Sequence, residues 1–365
     1  MAIFFAYNLI LLLLLLKFRQ SKYITFLSLV TFFILFSLCY ENADYYNYTR
    51  QYYTALAFSF RDSEFIWNSL MMICNLLGLS FTSFRAIVFI IAFIAIMPSV
   101  QKISNESNII LLIYFIFPFI MDITQIRNFL AMAFLIHGLP YLSSTKWTHL
   151  VKYVLYVGIA ALIHNVFIIY ILLIILKYID FKKTFILSAF LLTGMIVFFK
   201  RIPSVFLTLF GSYRSDVIHA GKYVTTGIVS PAMILALSPY YLGIVGGAIS
   251  SHHIIHTELA MREKKIDIEL MNVLNKVFLV ISATYILNIY AMDFSRISRN
   301  ILLLEYAVVW ESSNLCCKTS KYIIRFFLFV FSIYSLWLFV YYPHADSVFY
   351  PVFNSNLLID LFSFQ

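Results

Sequence analysis

The sequence predicts an all-α, polytopic membrane protein with about twelve transmembrane helices, and three observations carry that prediction. Of 365 residues, 62% are hydrophobic and 12% charged, against roughly 45–50% and about 25% in soluble domains. Apolar runs of near-spanning length recur from residues 2–16 and 23–39 onward. Most charges fall in the short loops between them, so residues 1–365 read as one integral membrane domain with no room for a soluble one.

The first apolar run has no basic leader and no small-residue cleavage site, and Lys17, Arg19 and Lys22 follow it directly. It therefore reads as a retained helix. Placing those cations in the cytoplasm sends the Tyr-rich stretch 40–64 outside, because 23–39 crosses once between them. The lysine-bearing loops 101–108, 143–152, 177–183, 251–267 and 312–321 are cytoplasmic by the same rule. Outside fall 121–127, the turn at His164, the long loop 200–227, residues 293–299 and the tail from Tyr341. Both termini then lie outside.

Two apolar segments, 65–79 and 84–100, separate the outer stretch from cytoplasmic Lys102, yet an odd number of crossings is required. The second is assigned as the span. The first, which carries Trp67, Asn68 and Asn75, is assigned as a re-entrant or interfacial helix. Around His164, residues 151–162 and 166–176 each fall short of the roughly 20 residues a span prefers, which points to broken or tilted helices around a cavity.

This map separates two cations. The cytoplasmic loops hold twelve lysines and two arginines, Arg19 and Arg262. The outer segments hold eight arginines (Arg50, Arg61, Arg85, Arg127, Arg201, Arg214, Arg296, Arg299) and two lysines. A guanidinium fork binds phosphate or carboxylate in two places at once, whereas an ammonium is a point charge suited to headgroups. The outer face thus looks built for an anionic ligand.

Arg127 opens an apolar helix, against the helix dipole, which asks for an anion nearby: a ligand phosphate or Asp122. His164 stands alone between apolar runs, as a general base, a phosphate donor or a structural histidine. Arg296 and Arg299 share a helical face and could clamp two phosphates or pair with Asp293 and headgroups. Asp44, Tyr48 and Glu64 belong to an outer stretch of carboxylates, amides and aromatic rings, the chemistry of sugar recognition as well as of an interfacial tyrosine belt. Tyr213 and Arg214 sit in the long outer loop, which could cap a cavity.

The +9 net charge is scattered over many loops, so no nucleic-acid partner is assigned. Four cysteines without C-x-x-C spacing imply neither disulfides nor zinc. His252, His253 and His256 have ligand-like spacing but no carboxylate or thiolate beside them, and no metal or other cofactor is assigned. P-loop, G-x-G-x-x-G, H-E-x-x-H and G-x-S-x-G motifs are all missing.

Over most of the chain, the order of elements resembles the EpsG family of bacterial Wzy-type polysaccharide polymerases. The residues that carry the resemblance are Asp44-x-x-x-Tyr48, Glu64-Phe65, Arg127 with Ala131, Leu162-x-His164, and Arg296 or Arg299. Asn128 stands where the family often has Gln, and Phe65-Ile66 where it often has Pro-Gly.

The resemblance implies a GT-C-like membrane glycosyltransferase, multi-pass in the bacterial inner membrane. Such an enzyme passes a growing O-antigen, capsule or exopolysaccharide chain from undecaprenyl pyrophosphate onto a lipid-linked repeat unit at the periplasmic face. It implies partners as well: the undecaprenyl-pyrophosphate-linked oligosaccharide, membrane lipids, and a chain-length regulator and flippase of the same pathway. By this resemblance Arg127 is the main pyrophosphate contact, Arg296 or Arg299 its partner, and His164 the base or a third phosphate donor. Asp44 is the rival base, and Tyr48, Glu64, Tyr213 and Arg214 are substrate-binding. An O-antigen ligase needs similar residues. A flippase or transporter would show repeated halves, and none are visible.

Overall fold

The computed structural model describes residues 13–57, 64–197, 231–258, 267–290, 294–358 and 360, and among them there is no strand. The helices are α1 (Lys22–Leu38), α2 (Tyr45–Tyr53), α3 (Phe65–Leu76), α4 (Phe81–Ile103), α5 (Ser107–Ile116), α6 (Phe119–Thr124), α7 (Ile126–Gly138) and α8 (Trp147–Ile163). A 3₁₀ helix (Asn165–Lys177) follows, then α9 (Phe181–Val197), α10 (Pro231–Glu258), α11 (Ile268–Ser282), α12 (Tyr285–Tyr290), α13 (Ser295–Arg299), α14 (Leu302–Ser313) and α15 (Lys318–Leu336). Beyond α15 the chain stays helical to Asn354 through π-helical turns at Trp337–Tyr341 and Ala345–Phe349.

Among the described residues, three helices are long and apolar enough to cross a membrane: Phe81–Ile103, Ile234–Thr257 and Lys318–Asn354. At 1.5 Å per residue the 23-residue α4 reaches about 35 Å, more than the roughly 30 Å of hydrocarbon in a bilayer. Five shorter apolar helices of 10–17 residues pack beside them. One is the 13-residue 3₁₀ helix. Its rise of about 2.0 Å per residue carries it about 26 Å, where an α-helix of that length would reach about 20 Å. Lys276 of α11 satisfies the carbonyls at its end, donating to Leu176 and, at 2.9 Å, to Ile179.

Helix starts follow local chemistry. The Ser21, Ser80 and Asp267 side chains accept backbone N–H groups at the starts of α1, α4 and α11, satisfying donors that have no partner within the helix. Aromatic rings pack within a mainly aliphatic core. Phe36 of α1 meets Phe89 of α4 and Phe129 of α7 with ring centroids 5.5 and 4.9 Å apart. A Cβ on Gly138 would lie 2.9 Å from Tyr156 Cβ, so only glycine lets α7 and α8 approach this closely.

The polar groups gather at the two ends of the bundle. At one end, Arg19 pairs with Glu106 at 3.6 Å, Lys102 with Asp267 at 3.4 Å, and Ser104 donates to Glu311 at 2.8 Å. The lysine-bearing loops thus adjoin one another. At the other end, Arg85 donates to the carbonyls of Cys39 and Ile123, tying the end of α1 to α6. The C-terminal segment closes over the same end: the Tyr40 N–H donates to Ser355 O at 3.0 Å and the Ala43 N–H to Ser347 O at 2.9 Å.

Helix α3 runs alongside α2. Near its start Trp67 meets Tyr48, and near its end Asn75 donates to the Tyr52 carbonyl at 2.9 Å. Tyr52 in turn donates to Leu79 O at 2.6 Å, so both ends of α3 stay beside α2.

Candidate functional site

Glu64 gathers the site. Its backbone is left-handed (φ 69°, ψ 46°), a conformation that costs a residue with a Cβ roughly 1–2 kcal/mol. Strain of this kind persists where surrounding contacts fix it. Arg127 Nη1 donates to Glu64 Oε2 at 2.6 Å, and His164 Nδ1 donates to Oε1 at 2.8 Å. The Asn165 N–H approaches the same oxygen at 3.4 Å. The carboxylate side chain is 3% exposed, and burying such a charge requires partners of this kind.

Arg127, second residue of α7, is the more open member, with 19% of its side chain exposed. Its Nε has no hydrogen-bond partner among the described residues, a donor that calls for an explanation in a buried position. Asp122 does not neutralise it. The chain turns at Gln125 between α6 and α7, and Asp122 instead accepts the Tyr114 hydroxyl at 2.7 Å and faces Arg299 Nε at 4.0 Å.

Arg296 and Arg299 lie on one short helix, α13, but serve different surroundings. Arg299 is 1% exposed and also donates to Gln125. The positive charges of Arg127 and Arg296 both bear on Tyr48 and His164. Burial pushes the Tyr48 phenol above its usual value; the two arginines oppose this, while Asp44 and Glu64 reinforce it. His164 occupies the turn between α8 and the 3₁₀ helix, outside either segment. Burial pushes its imidazole down to about 4, although the bond to Glu64 pulls the other way. The ring is therefore neutral near pH 7, and burial makes it a weaker base than a free imidazole.

A buried amide network ties these pieces together. Asn128, next to Arg127, donates to Asn300 Oδ1 at 2.8 Å, and Asn300 donates to the Tyr170 hydroxyl at 3.2 Å. Tyr170 donates to Ile297 O at 2.8 Å, and Tyr153 donates to Tyr170 O. The start of α7, the α13 segment and the 3₁₀ helix are thereby held in register. Asn300, Tyr170, Tyr114 and Gln125 have no place among the sequence-derived candidates. Their only signal was polarity inside apolar runs.

Of the residues singled out from sequence, Glu64, Arg127, His164, Arg296 and Tyr48 come together here. Asp44 lies at the start of α2, one turn from Tyr48. Tyr213, Arg214 and the loop 200–227 lie outside the described residues. His252 stacks on Phe181 with ring centroids 3.5 Å apart and bonds to Asn272. No group of three or more metal-ligating side chains occurs among the described residues.

The model of the EpsG family matches residues 22–354, nearly the whole chain. No curated protein and no solved structure matches it.

Proposed function

The chain belongs to the EpsG family, and from that membership we propose that it is a membrane glycosyltransferase of the polysaccharide-polymerase type. In this reading it transfers a growing glycan from undecaprenyl pyrophosphate onto a lipid-linked repeat unit at the outer face of the bacterial inner membrane, on a GT-C-like body of about twelve crossings. The observation that supports it most is the meeting of Arg127 and His164 on the single Glu64 carboxylate, with Arg296 bearing on the same space. Three outer segments far apart in sequence supply one cationic, proton-accepting centre.

The reaction forms a bond from the acceptor hydroxyl oxygen to the donor's anomeric carbon and breaks the bond from that carbon to the pyrophosphate oxygen. The pyrophosphate leaves with the electron pair. Negative charge grows on it in the transition state, and preorganised cations stabilise that charge most where water is scarce. Arg127 supplies the fork, with its Nε unused by the described residues; Arg296 supports it, and Arg299 braces the wall behind it. Glu64 fixes the Nδ1–H tautomer of His164, so Nε2 is left to take the hydroxyl proton, as in other carboxylate–histidine pairs. Asp44 is the alternative base. Tyr48, with Tyr213 and Arg214 from the long loop, lines the sugar path.

The test is complementation of a deletion strain with Arg127→Ala and His164→Ala, with expression matched and glycan length read on gels. Loss of long chains with accumulation of single repeats is expected. Full-length polymer from both variants would refute the assignment, and unligated polymer in the deletion strain would point to a ligase.

A further inference from the structure

Glu305 is a carboxyl in the first turn of α14 that the proposed chemistry does not use. It is 2% exposed, and its Oε2 has no hydrogen-bond partner among the described residues. On the same helix it lies six residues before Glu311, which accepts from Ser104 at one end of the bundle, about 9 Å of helix. An ionisable side chain at such depth is costly and marks a functional site by default.

Beside Glu305 lies a cavity of about 540 Å³ between α10, α14 and α15, within the usual range for small-molecule sites. Glycines open it. Glu305 Oε1 sits 2.9 Å from where a Gly247 Cβ would be, and a Cβ on Gly246 would meet nothing within 4 Å. Phe327, Val330 and Phe331 form the facing wall. Leu242 and Phe327, at the rim, are 68% and 63% exposed, so the mouth opens sideways toward lipid rather than toward either aqueous face.

We propose that this cleft binds a neutral, membrane-dissolved lipid bearing one hydroxyl, whose chain fills the apolar wall and whose O–H donates to Glu305. An apolar partner helix leaves the acid unsatisfied, because its backbone donors are spent within the helix itself. An ammonium lipid is disfavoured because the cleft offers a single carboxyl at a depth where a charge is costly to bring in. A plain hydrocarbon leaves the acid unsatisfied. The proposal does not depend on the glycosyltransferase reading, and its test measures binding alone.

The full-length protein in nanodiscs is photolabelled with diazirine-bearing hexadecanol, and the labelled peptides are mapped by mass spectrometry. Label is expected on α10 and α15 beside Gly246 and Phe327, competed by hexadecanol or dioleoylglycerol, and roughly tenfold less by hexadecane. The stronger of the two hydroxyl competitors tells a simple alcohol from a glyceride. Glu305→Leu is expected to weaken hexadecanol competition roughly tenfold. Gly246→Leu, placed in open space and so compatible with folding, is expected to abolish labelling at these peptides. Equal competition by hexadecane, or unchanged labelling in Gly246→Leu, overturns the proposal even if Glu305→Leu fails to fold.

Discussion

Arg127 and Glu64 form a 2.6 Å ion pair between the start of α7 and a residue held in left-handed backbone at the start of α3. The second oxygen of the same carboxylate holds His164. Glu64 therefore decides both where the cation points and which imidazole nitrogen carries the proton. Glu64→Gln keeps the shape but not the charge, and is expected to cut polymer yield about 100-fold, the loss of a charge-assisted bond worth about 2–3 kcal/mol. Gel analysis of the complemented deletion strain, with protein level matched by immunoblot, measures this. Wild-type yield from Glu64→Gln would remove the carboxylate from the site.

Arg127→Lys separates fork from charge. A lysine can still pair with Glu64 through its point charge, but its ammonium has no flat two-donor edge to offer a phosphate at the same time. Polymer yield is expected to fall at least tenfold while thermal stability in detergent stays close to wild type. Full activity in Arg127→Lys would mean that positive charge alone suffices.

Arg299 differs from Arg127 in burial. It faces Asp122 inside the bundle at 1% and 0% side-chain exposure, so removing one leaves the other buried without its counter-charge. Asp122→Asn and Arg299→Met are each expected to destabilise the protein by about 3–5 kcal/mol. The double variant should lose much less than the sum. Thermal unfolding followed by fluorescence-detected gel filtration reads the three variants, and strict additivity would show that the two side chains do not interact.

How much of this was legible beforehand follows from what each signal reports. Hydropathy located the apolar helices, because it is a local property of sequence. The same local reasoning singled out Arg127 and His164, which are charged or titratable residues flanked by apolar runs. It could not pair them. Asp122, five residues from Arg127, was the alternative to a ligand phosphate as its partner, but the turn at Gln125 sends the two side chains to different neighbours. Glu64 was harder to place for the same reason, since its role depends on contacts 63 and 100 residues away. Arg85, counted with the arginines of the outer face, is occupied by backbone carbonyls. The 3₁₀ geometry after His164 was also invisible, because an apolar run of 13 residues carries no mark of its rise per residue.

His164 gives the protein a pH-dependent stability whose sign is fixed. An unfolded imidazole titrates near 6.5 and the folded one at about 4, so between those values the unfolded chain binds more protons. Stability therefore falls as pH falls through that window and is fully present above it. Wild type is expected to lose more thermal stability between pH 7 and pH 5 than His164→Gln, which has nothing to protonate there. Parallel pH dependence in the two proteins would show that His164 is not held neutral by burial.

The path of α3 can be tested without any substrate. Trp67 and Asn75 both contact the α2 segment, so a label reaching one end of α3 from outside must reach the other end from outside too. If α3 instead crossed the bilayer, Leu77, just beyond its end, would lie on the side opposite Tyr46, and every later loop would exchange sides. The 12 residues of α3 extend about 18 Å, well short of the roughly 30 Å of hydrocarbon. Single cysteines are placed at Tyr46, Leu77 and Lys146 after the four native cysteines are replaced by serine or alanine, since Cys317 is exposed and would react. A membrane-impermeant maleimide added to spheroplasts is expected to modify Tyr46→Cys and Leu77→Cys but not Lys146→Cys until the membrane is opened. Protection of Leu77→Cys together with labelling of Lys146→Cys would make α3 a crossing helix and place the lysine-rich loops after it outside.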